Sequence, residues 1–309
     1  MLAVRPYVQS DDRAWDAVVD QSRNGVFLHR RGYMDYHAHR FTDRSLLVER
    51  KGEPVAIFPA NIQGDTIVSH GGLTYAGLIS THALRAESTL SVFELIGEIY
   101  RQLGVKSVVY KAVPHVFHAY PAEEDLYALH RLGARLKRRD ISSIIALREP
   151  FRFTDERRRA VNKARHAGLR IQAGTDMAGF HSLLADVLRN HGAVPTHSLD
   201  ELRLLQARFP EQITLYEARR DDELLAGAVV YDFGRGVHTQ YLAASEEGRR
   251  VNALNLLLAE LIERYADRHY FSFGISSEQE GKALNGGLVS QKEYFGARGI
   301  VHDFYEWTL

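Results

Sequence analysis

One order of elements occurs twice along these 309 residues, and that repetition limits the folds open to the chain more than any single motif does. In the first half, Ser10 or Asp11 can cap a helix whose apolar stripe includes Trp15, Val18 and Val19. A strand over 45–50 follows, then a tight turn at Gly52, a second strand over 54–63, and a third that runs into 69–78 after a Gly-Asp turn at 64–65. Next comes a helix with Leu90, Phe93, Ile96, Ile99, Tyr100 and Leu103 on one face, ended by Gly104, and a buried strand over 105–113. The second half has helices over roughly 176–190 and 198–208 and strands over 213–220, 224–233 and 237–245. A helix over about 250–266 then presents Leu254, Leu257, Leu258, Leu261, Ile262 and Tyr265, and a strand over 269–275 closes the set.

This spacing predicts two α/β (α+β) domains, 1–150 and 151–309. The alternative is two unrelated α+β modules that share a common meander. A basic helix over 154–170 is expected to bridge the halves. No Pro- or Ser-rich linker separates them, so the expectation is a packed two-domain body with a cleft. Lys plus Arg equals Asp plus Glu, 39 against 39, which gives no global attraction for nucleic acid or an anionic membrane. The absence of cysteine excludes a disulfide framework, a zinc–thiolate site and a cysteine nucleophile. The opening segment does not read as a signal peptide, and no apolar run is long enough to span a bilayer. A cytoplasmic protein without membrane insertion is expected.

The strings FLHRRGYMDYHAHRF (27–41), SHGGLTYAGL (69–78), KAVPHVFHAYPAEEDLYAL (111–129), RRRAVNKARHAGLRI (157–171), RNHGAVPTHSLDEL (189–202), VNALNLL (251–257), FSFGISSEQEGKALNGGL (271–288) and QKEYFGAR (291–298) stand in one order over nearly the whole chain. In that order they resemble the Fem family of peptidoglycan aminoacyl ligases and its sugar-modifying acyltransferase relatives. The resemblance implies two tandem domains of the acetyltransferase (GNAT) type, each a mixed, mostly antiparallel sheet flanked by helices. Helix, three-strand meander, helix, strand is the central order of that fold. The resemblance also implies an acceptor side in 1–150, an acyl-donor side in 151–309, and aminolysis of an activated acyl group.

The donor site can be read from helix physics. Gly248 permits a sharp turn, and Arg249, Arg250, Val251, Asn252 and Ala253 open the next helix, whose unpaired amides and positive end suit a pyrophosphate. The stretch departs from the common acetyltransferase Gln/Arg-x-x-Gly-x-Gly/Ala signature, with Asn252 in a glycine place, and Asn-Ala is what Fem-like proteins carry there. The equivalent first-half loop, 80–88, has no glycine, so no donor is expected there. Lys292 matches the catalytic lysine of a Phe-Lys-x-x-Phe-like string in Fem ligases, although Gln291 replaces the aromatic. Its role by that resemblance is to stabilise the developing oxyanion, worth about 3 kcal/mol per donor. The bland alternative is a surface lysine on a helix.

His191 and His197 flank a Pro-containing loop, and a neutral imidazole there, His191 before His197, can take the proton of an attacking ammonium. Strand alternation places His238 and Gln240 on one face and Tyr241 on the other, without saying which face lines the acyl channel. Glu278, Lys282 and Asn285 lie in a glycine-rich loop as acceptor contacts or as turn residues. In the first half His70, Gly72, Thr74 and Tyr75 interrupt a strand with a glycine pair, which suggests an acceptor wall. The Fem resemblance puts a phosphate-gripping lysine after a Gly-aromatic pair. Here Gly32-Tyr33 matches the pair, His37 stands in the lysine place, and Arg30 and Arg31 are the nearby cations. The run Arg157, Arg158, Arg159, Lys163, Arg165 and His166 is a solvated face or a phosphate or RNA contact, with 159, 163 and 166 sharing one side.

The function expected is transfer of an acyl group from acyl-CoA, acetyl-CoA first, to the amine of an amino sugar that is nucleotide- or lipid-linked in surface-glycan synthesis. The attack would be direct, in a ternary complex, because no cysteine or serine elbow supports a covalent enzyme. The alternatives are a Fem-type ligase that uses aminoacyl-tRNA on a peptidoglycan precursor, and a binding module that has lost catalysis. No metal site is implied, since no His/Asp/Glu set has ligand spacing.

Overall fold

Pro59 splits what reads in the sequence as one strand over 54–63. In the computed structural model, which describes residues 2–190 and 192–309, β1 (Leu2–Pro6) is followed by α1 (Asp12–Gln21), β2 (Leu46–Arg50) and β3 (Glu53–Phe58). The chain resumes as β4 (Asn61–Gln63), β5 (Thr66–Val68) and β6 (Ile79–Ser80). Proline has no N–H for a ladder, and the two pieces join different partners. Strand β3 lies between β2 and β6, whereas β4 pairs with β5.

The first compact unit comprises Met1–Asp140 with Gln279–Ala283 and Val301–Leu309. It contains α2 (Ala86–Gln102), β7 (Ser107–Lys111) and α3 (Glu124–Arg131). One antiparallel sheet has the order β1-β2-β3-β6. In the other ladder β7 runs parallel to β5 and antiparallel to the C-terminal strand. The α2 stripe buries Val92, Phe93, Ile96 and Tyr100 together with Phe58, Tyr110 and Trp307. Each large apolar side chain so buried contributes about 1.5–3 kcal/mol. Gly104, at φ +76°, follows the helix where an L side chain would be strained.

The second unit comprises Ile141–Glu278 and Leu284–Ile300. Its elements are β8 (Arg135–Ala146, which contains the unit boundary), α4 (Asp155–Arg165), β9 (Arg170–Ala173), α5 (Met177–Arg189) and α6 (Leu199–Arg208). They continue with β10 (Ile213–Arg220), β11 (Glu223–Asp232), β12 (Gly236–Ala244), α7 (Glu246–Arg250), α8 (Ala253–Arg264), β13 (Tyr270–Ile275) and α9 (Gly286–Glu293); the C-terminal strand β14 (Arg298–Thr308) starts here and from Val301 belongs to the first unit. The sheet order is β9-β10-β11-β12-β13-β8, antiparallel except for β12 beside β13. Ser198 and Glu201 form a capping box at the start of α6. Leu257, Leu258, Leu261 and Ile262 of α8 join Val161 and Ala164 of α4 in the core of this unit.

Three local expectations change. The helix expected over 154–170 ends at Arg165 and packs on α8 within the second unit. The helix expected over 250–266 is two helices, broken at Asn252, which adopts the left-handed conformation at φ 60°. Strand alternation fails at Gln240. Thr239 pairs with Val230 and Tyr241 with Val229, so Gln240 is an extra, bulged residue. His238 and Tyr241 therefore share a face, contrary to simple alternation. Leu242 and Ala244 point to the opposite side, the one that packs on α8. No helix of the described residues is long and apolar enough to cross a membrane.

Candidate functional site

Strands β12 and β13 pair only over Gly236–His238 and Tyr270–Ser272. Beyond the point where this ladder stops, Leu242 and Ala244 of β12 and Phe273 of β13 line one cavity of about 680 Å³ within the second unit. Gly248 and Arg249 of α7, Asn252, and Leu254, Asn255 and Leu258 of α8 complete one side. Arg157 of α4, and Asn285, Leu288, Gln291, Lys292 and Phe295 around α9, complete another. Its charged lining residues are Arg157, Arg249 and Lys292, and no Asp or Glu is among the described residues of the wall.

The start of α8 adds to this positive field. Asn252 is its N-cap, yet its side chain accepts no hydrogen bond from a backbone amide of the first turn, and that turn carries no acidic residue. The first amides of a helix have no intrahelical acceptor and sit at the positive end of the helix dipole. An anion is the natural complement to such an end.

Lys292 lies in the last turn of α9 and is only 8% exposed. Its Nζ donates to the carbonyl oxygens of Gly274 and Ile275, both at 2.8 Å, and to Ser276 Oγ at 2.7 Å. Gly274, at φ +78°, turns the end of β13 so that successive oxygens face the ammonium. All three acceptors are neutral, and burial pushes the Lys292 pKa down to about 8. The sequence placed this lysine on a helix. Its burial against the end of β13 was not evident there.

The other residues expected at the donor end separate into two groups. Gly248, Arg249 and Asn252 line the cavity, and Arg249 is steadied by a bond from Nη1 to the Ala244 carbonyl at 3.0 Å. Gly248 is needed for a different reason from the turn expected: a Cβ there would lie 1.9 Å from the Leu225 carbonyl oxygen, so α7 could not pack on β11. Arg250 instead forks onto Glu247, at 2.6 and 2.7 Å, and Glu247 also holds Arg220. Ala253 is wholly buried in the core.

Asn285 lines the cavity and caps α9, accepting from the Leu288 amide at 3.0 Å and donating to Glu278 at 2.6 Å. His238 Nδ1 meets Ser272 Oγ at 3.0 Å, and Tyr241 OH meets His197 Nδ1 at 2.6 Å. Both of these pairs belong to the β12 face turned away from Leu242 and Ala244. His191, the proton acceptor expected from sequence, lies outside the described residues.

In the first unit, His37 and His70 come together with ring centroids 5.4 Å apart, and both are buried. His37 stacks on Tyr36 at 4.0 Å, and a Cβ on Gly72 would fall 1.8 Å from His37 Nε2. The glycine therefore makes room for the imidazole. His70 holds the left-handed conformation at φ 52°, and burial pushes its pKa down to about 3. Tyr75 packs elsewhere, stacked on Phe117 at 5.1 Å and edge-on to His302. Arg30 forms an exposed ion pair with Asp20.

Arg157, Asn255, Gln291 and Phe295 were not singled out as site residues by sequence, apart from Arg157's place in the basic run. Arg158, Arg159, Lys163, Arg165 and His166 are exposed, whereas Arg157 is buried. The signal was present: 157, 161 and 164 follow helical spacing, and Val161 and Ala164 mark that face as the inner one.

Residues 152–281 match the family model of the acetyltransferase (GNAT) domain. No curated protein sequence matches the chain significantly. Among solved structures, FemX superposes with a TM-score of 0.71 at 13% identity, over 99% of this chain and 97% of that one. L-PGS from Bacillus licheniformis gives 0.63 at 13% identity, covering 96% and 91%. A tandem GNAT protein from the clavulanic acid biosynthesis pathway gives 0.52 at 12%, covering 100% and 98%. At these identities the solved structures establish a shared fold, that of tandem GNAT proteins, and the family model adds the acetyltransferase domain. Residues 152–281 thus belong to the acetyltransferase (GNAT) domain family, and the chain as a whole has the fold seen in FemX and in the tandem GNAT protein.

Proposed function

We propose that the protein transfers an acyl group from acyl-CoA, acetyl-CoA first, to the amine of an amino sugar carried on a nucleotide or lipid for surface-glycan synthesis. The observation that carries the donor half is the cavity of the second unit. Its apolar floor is edged by Arg157, Arg249 and Lys292 without an acid, beside the open first turn of α8. A ligand with both phosphates and a long, weakly polar arm is complementary to such a wall. The assignment carries a cytoplasmic location with it, because acyl-CoA is used there.

In the reaction the amine nitrogen attacks the acyl carbonyl carbon, the thioester C–S bond breaks, CoA leaves as the thiol, and the amide nitrogen gives up a proton. Lys292 supplies positive charge beside the carbonyl oxygen as that oxygen gains negative charge. Release of its bond to Ser276 Oγ frees one N–H for that oxygen. What supports an acceptor other than a murein precursor is His37, a buried imidazole stacked on Tyr36 at the place where the Fem resemblance puts a phosphate-gripping lysine.

A thermal-shift titration with CoA and acetyl-CoA tests the donor. Binding to the folded state alone raises Tm in a saturable way, and that rise is expected with both ligands. A flat response to both, with retention of charged tRNA in a filter assay, moves the assignment to the aminoacyl ester.

A further inference from the structure

Arg157 is a buried cation that forms no ion pair among the described residues; the neighbouring Glu156 carboxylate acts on it only through space. It is 8% exposed, and the acceptors of its guanidinium are the Asn255 side chain and the Gln291 carbonyl. Its Nε is buried without a partner. The guanidinium also lies over the Phe295 ring at 4.4 Å. Asn255, which orients it, is the third residue of α8 and donates to Asn252 Oδ1 at 3.0 Å. The charge is thus fixed at the first turn of α8, on the wall of the same cavity as Arg249 and Lys292.

Burying a charge whose hydrogen-bond partners are all neutral is unfavourable. A chain selected for folding alone would place an apolar side chain there, as it does at Val161 and Ala164 on the same face of α4. We infer that Arg157 is a ligand-binding residue whose counter-charge is a phosphate group of the donor, seated between its guanidinium and the first-turn amides of α8. This assignment rests on the donor cavity described above and specifies which part of the donor is gripped. It also explains why Arg157 is oriented by neutral oxygens: a carboxylate in their place would cancel the charge before the ligand arrived.

The test compares wild type with Arg157→Met and Arg157→Lys, reading Tm without ligand and the Kd for CoA and for inorganic pyrophosphate. The expected result is that Arg157→Met folds with a Tm equal to or above wild type, because an unpaired buried charge has been removed. It should bind both probes at least ~10-fold more weakly, with Arg157→Lys intermediate. If Arg157→Met binds CoA as tightly as wild type, the inference falls and the donor assignment stands. If wild type binds pyrophosphate but not CoA, and Arg157→Met loses that binding, the acyl-CoA assignment falls and the phosphate site stands. Wild type that binds neither probe overturns both. Should Arg157→Met fail to fold, Arg157→Lys decides: unchanged affinity for both probes with a lowered Tm identifies a purely structural residue.

Discussion

The two units share an order of elements and differ in how they treat charge. In the first, a cavity of about 460 Å³ includes Arg31, Arg44, Asp35 and Asp43 in its wall. Arg31 there already has counter-ions, paired with Asp35 at 2.6 Å and Asp43 at 2.7 Å and lying over the Tyr7 ring at 4.0 Å. Helix α2 begins with Glu87 in its first turn, a carboxylate that answers its own dipole. In the second unit, α8 has no acid in its first turn, and the three cations of its cavity face no carboxylate in the wall. Two units with a similar order of elements thus differ in the local placement of a few acids, which answer the charges of one cavity and leave those of the other free for an anion.

The largest effect expected from breaking this asymmetry is at Lys292. Lys292→Ala should lower turnover about 100-fold, the size of one oxyanion donor, while Kd for CoA changes less than threefold. Turnover that stays within twofold of wild type removes Lys292 from the mechanism. The pH profile sharpens the point. A lysine that works as the ammonium and has a pKa near 8 loses its charge as pH rises through that value, so kcat should fall there. Lys292→Arg should move this alkaline limb upward. Stability behaves in the opposite sense. Because the folded-state value lies below the ordinary 10.5, the unfolded chain holds the extra proton between about 8 and 10.5. The Lys292 contribution to stability therefore grows with pH across that window, and Lys292→Met should flatten the rise seen in a pH series of urea midpoints.

How much of this could be read from sequence depends on the range of the interaction. Strand β10 and the capped helices α5 and α6 follow local patterns, apolar alternation or a cap residue three positions before its partner, and they fall where the pattern puts them. The long strands β8 and β14 were not anticipated. Their residues mix Arg, Lys and Asp with apolar side chains, because ion pairs such as Arg139–Asp303 replace apolar contacts along one face. The bulge at Gln240 is a property of the β11–β12 register, which no single strand reveals. At the site, Lys292 was found through resemblance and Gly248 through its residue type. Arg157 was submerged in a run of arginines and lysines whose other members are exposed, and only the periodicity of its apolar neighbours set it apart.

Matched charge reversals probe the comparison directly. Arg249→Glu puts a carboxylate on the open wall, and CoA should bind at least ~10-fold more weakly. Arg44→Glu makes the same change in the mixed-charge cavity of the first unit, and CoA affinity should hold within twofold. Equal losses in the two variants, measured by titration calorimetry, would mean that the donor does not distinguish the units. A matched pair of glycines comes next. Gly248→Ala forces a methyl group toward the Leu225 carbonyl oxygen, with a loss of about 1–3 kcal/mol. Gly104→Ala meets nothing within 4 Å and carries only the strain of its φ of +76°, about 1 kcal/mol. Chemical denaturation of the pair should show the larger loss at 248, and weakened CoA binding at 248 alone.

The smallest effect is expected at Asn252, where backbone and side chain make separate contributions. Its φ of 60° is one that glycine adopts without strain and asparagine tolerates better than most residues. Asn252→Gly therefore keeps the break between α7 and α8, and stability should change by less than about 1 kcal/mol. What it removes is the acceptor for Asn255 Nδ2, the bond that fixes the amide which in turn orients Arg157. The expected result is a native Tm within a few degrees of wild type and a Kd for CoA raised about two- to fivefold, in keeping with the loss of a single neutral hydrogen bond of about 1 kcal/mol. Asn252→Ala separates the terms further, since it loses the same bond and adds backbone strain of about 1 kcal/mol. If the alanine variant loses stability while both variants lose affinity equally, the side chain of Asn252 acts on the ligand only through Asn255. Undiminished affinity in both would show that Arg157 is held well enough by Gln291 and Phe295, and that the left-handed turn alone is what the open end of α8 requires.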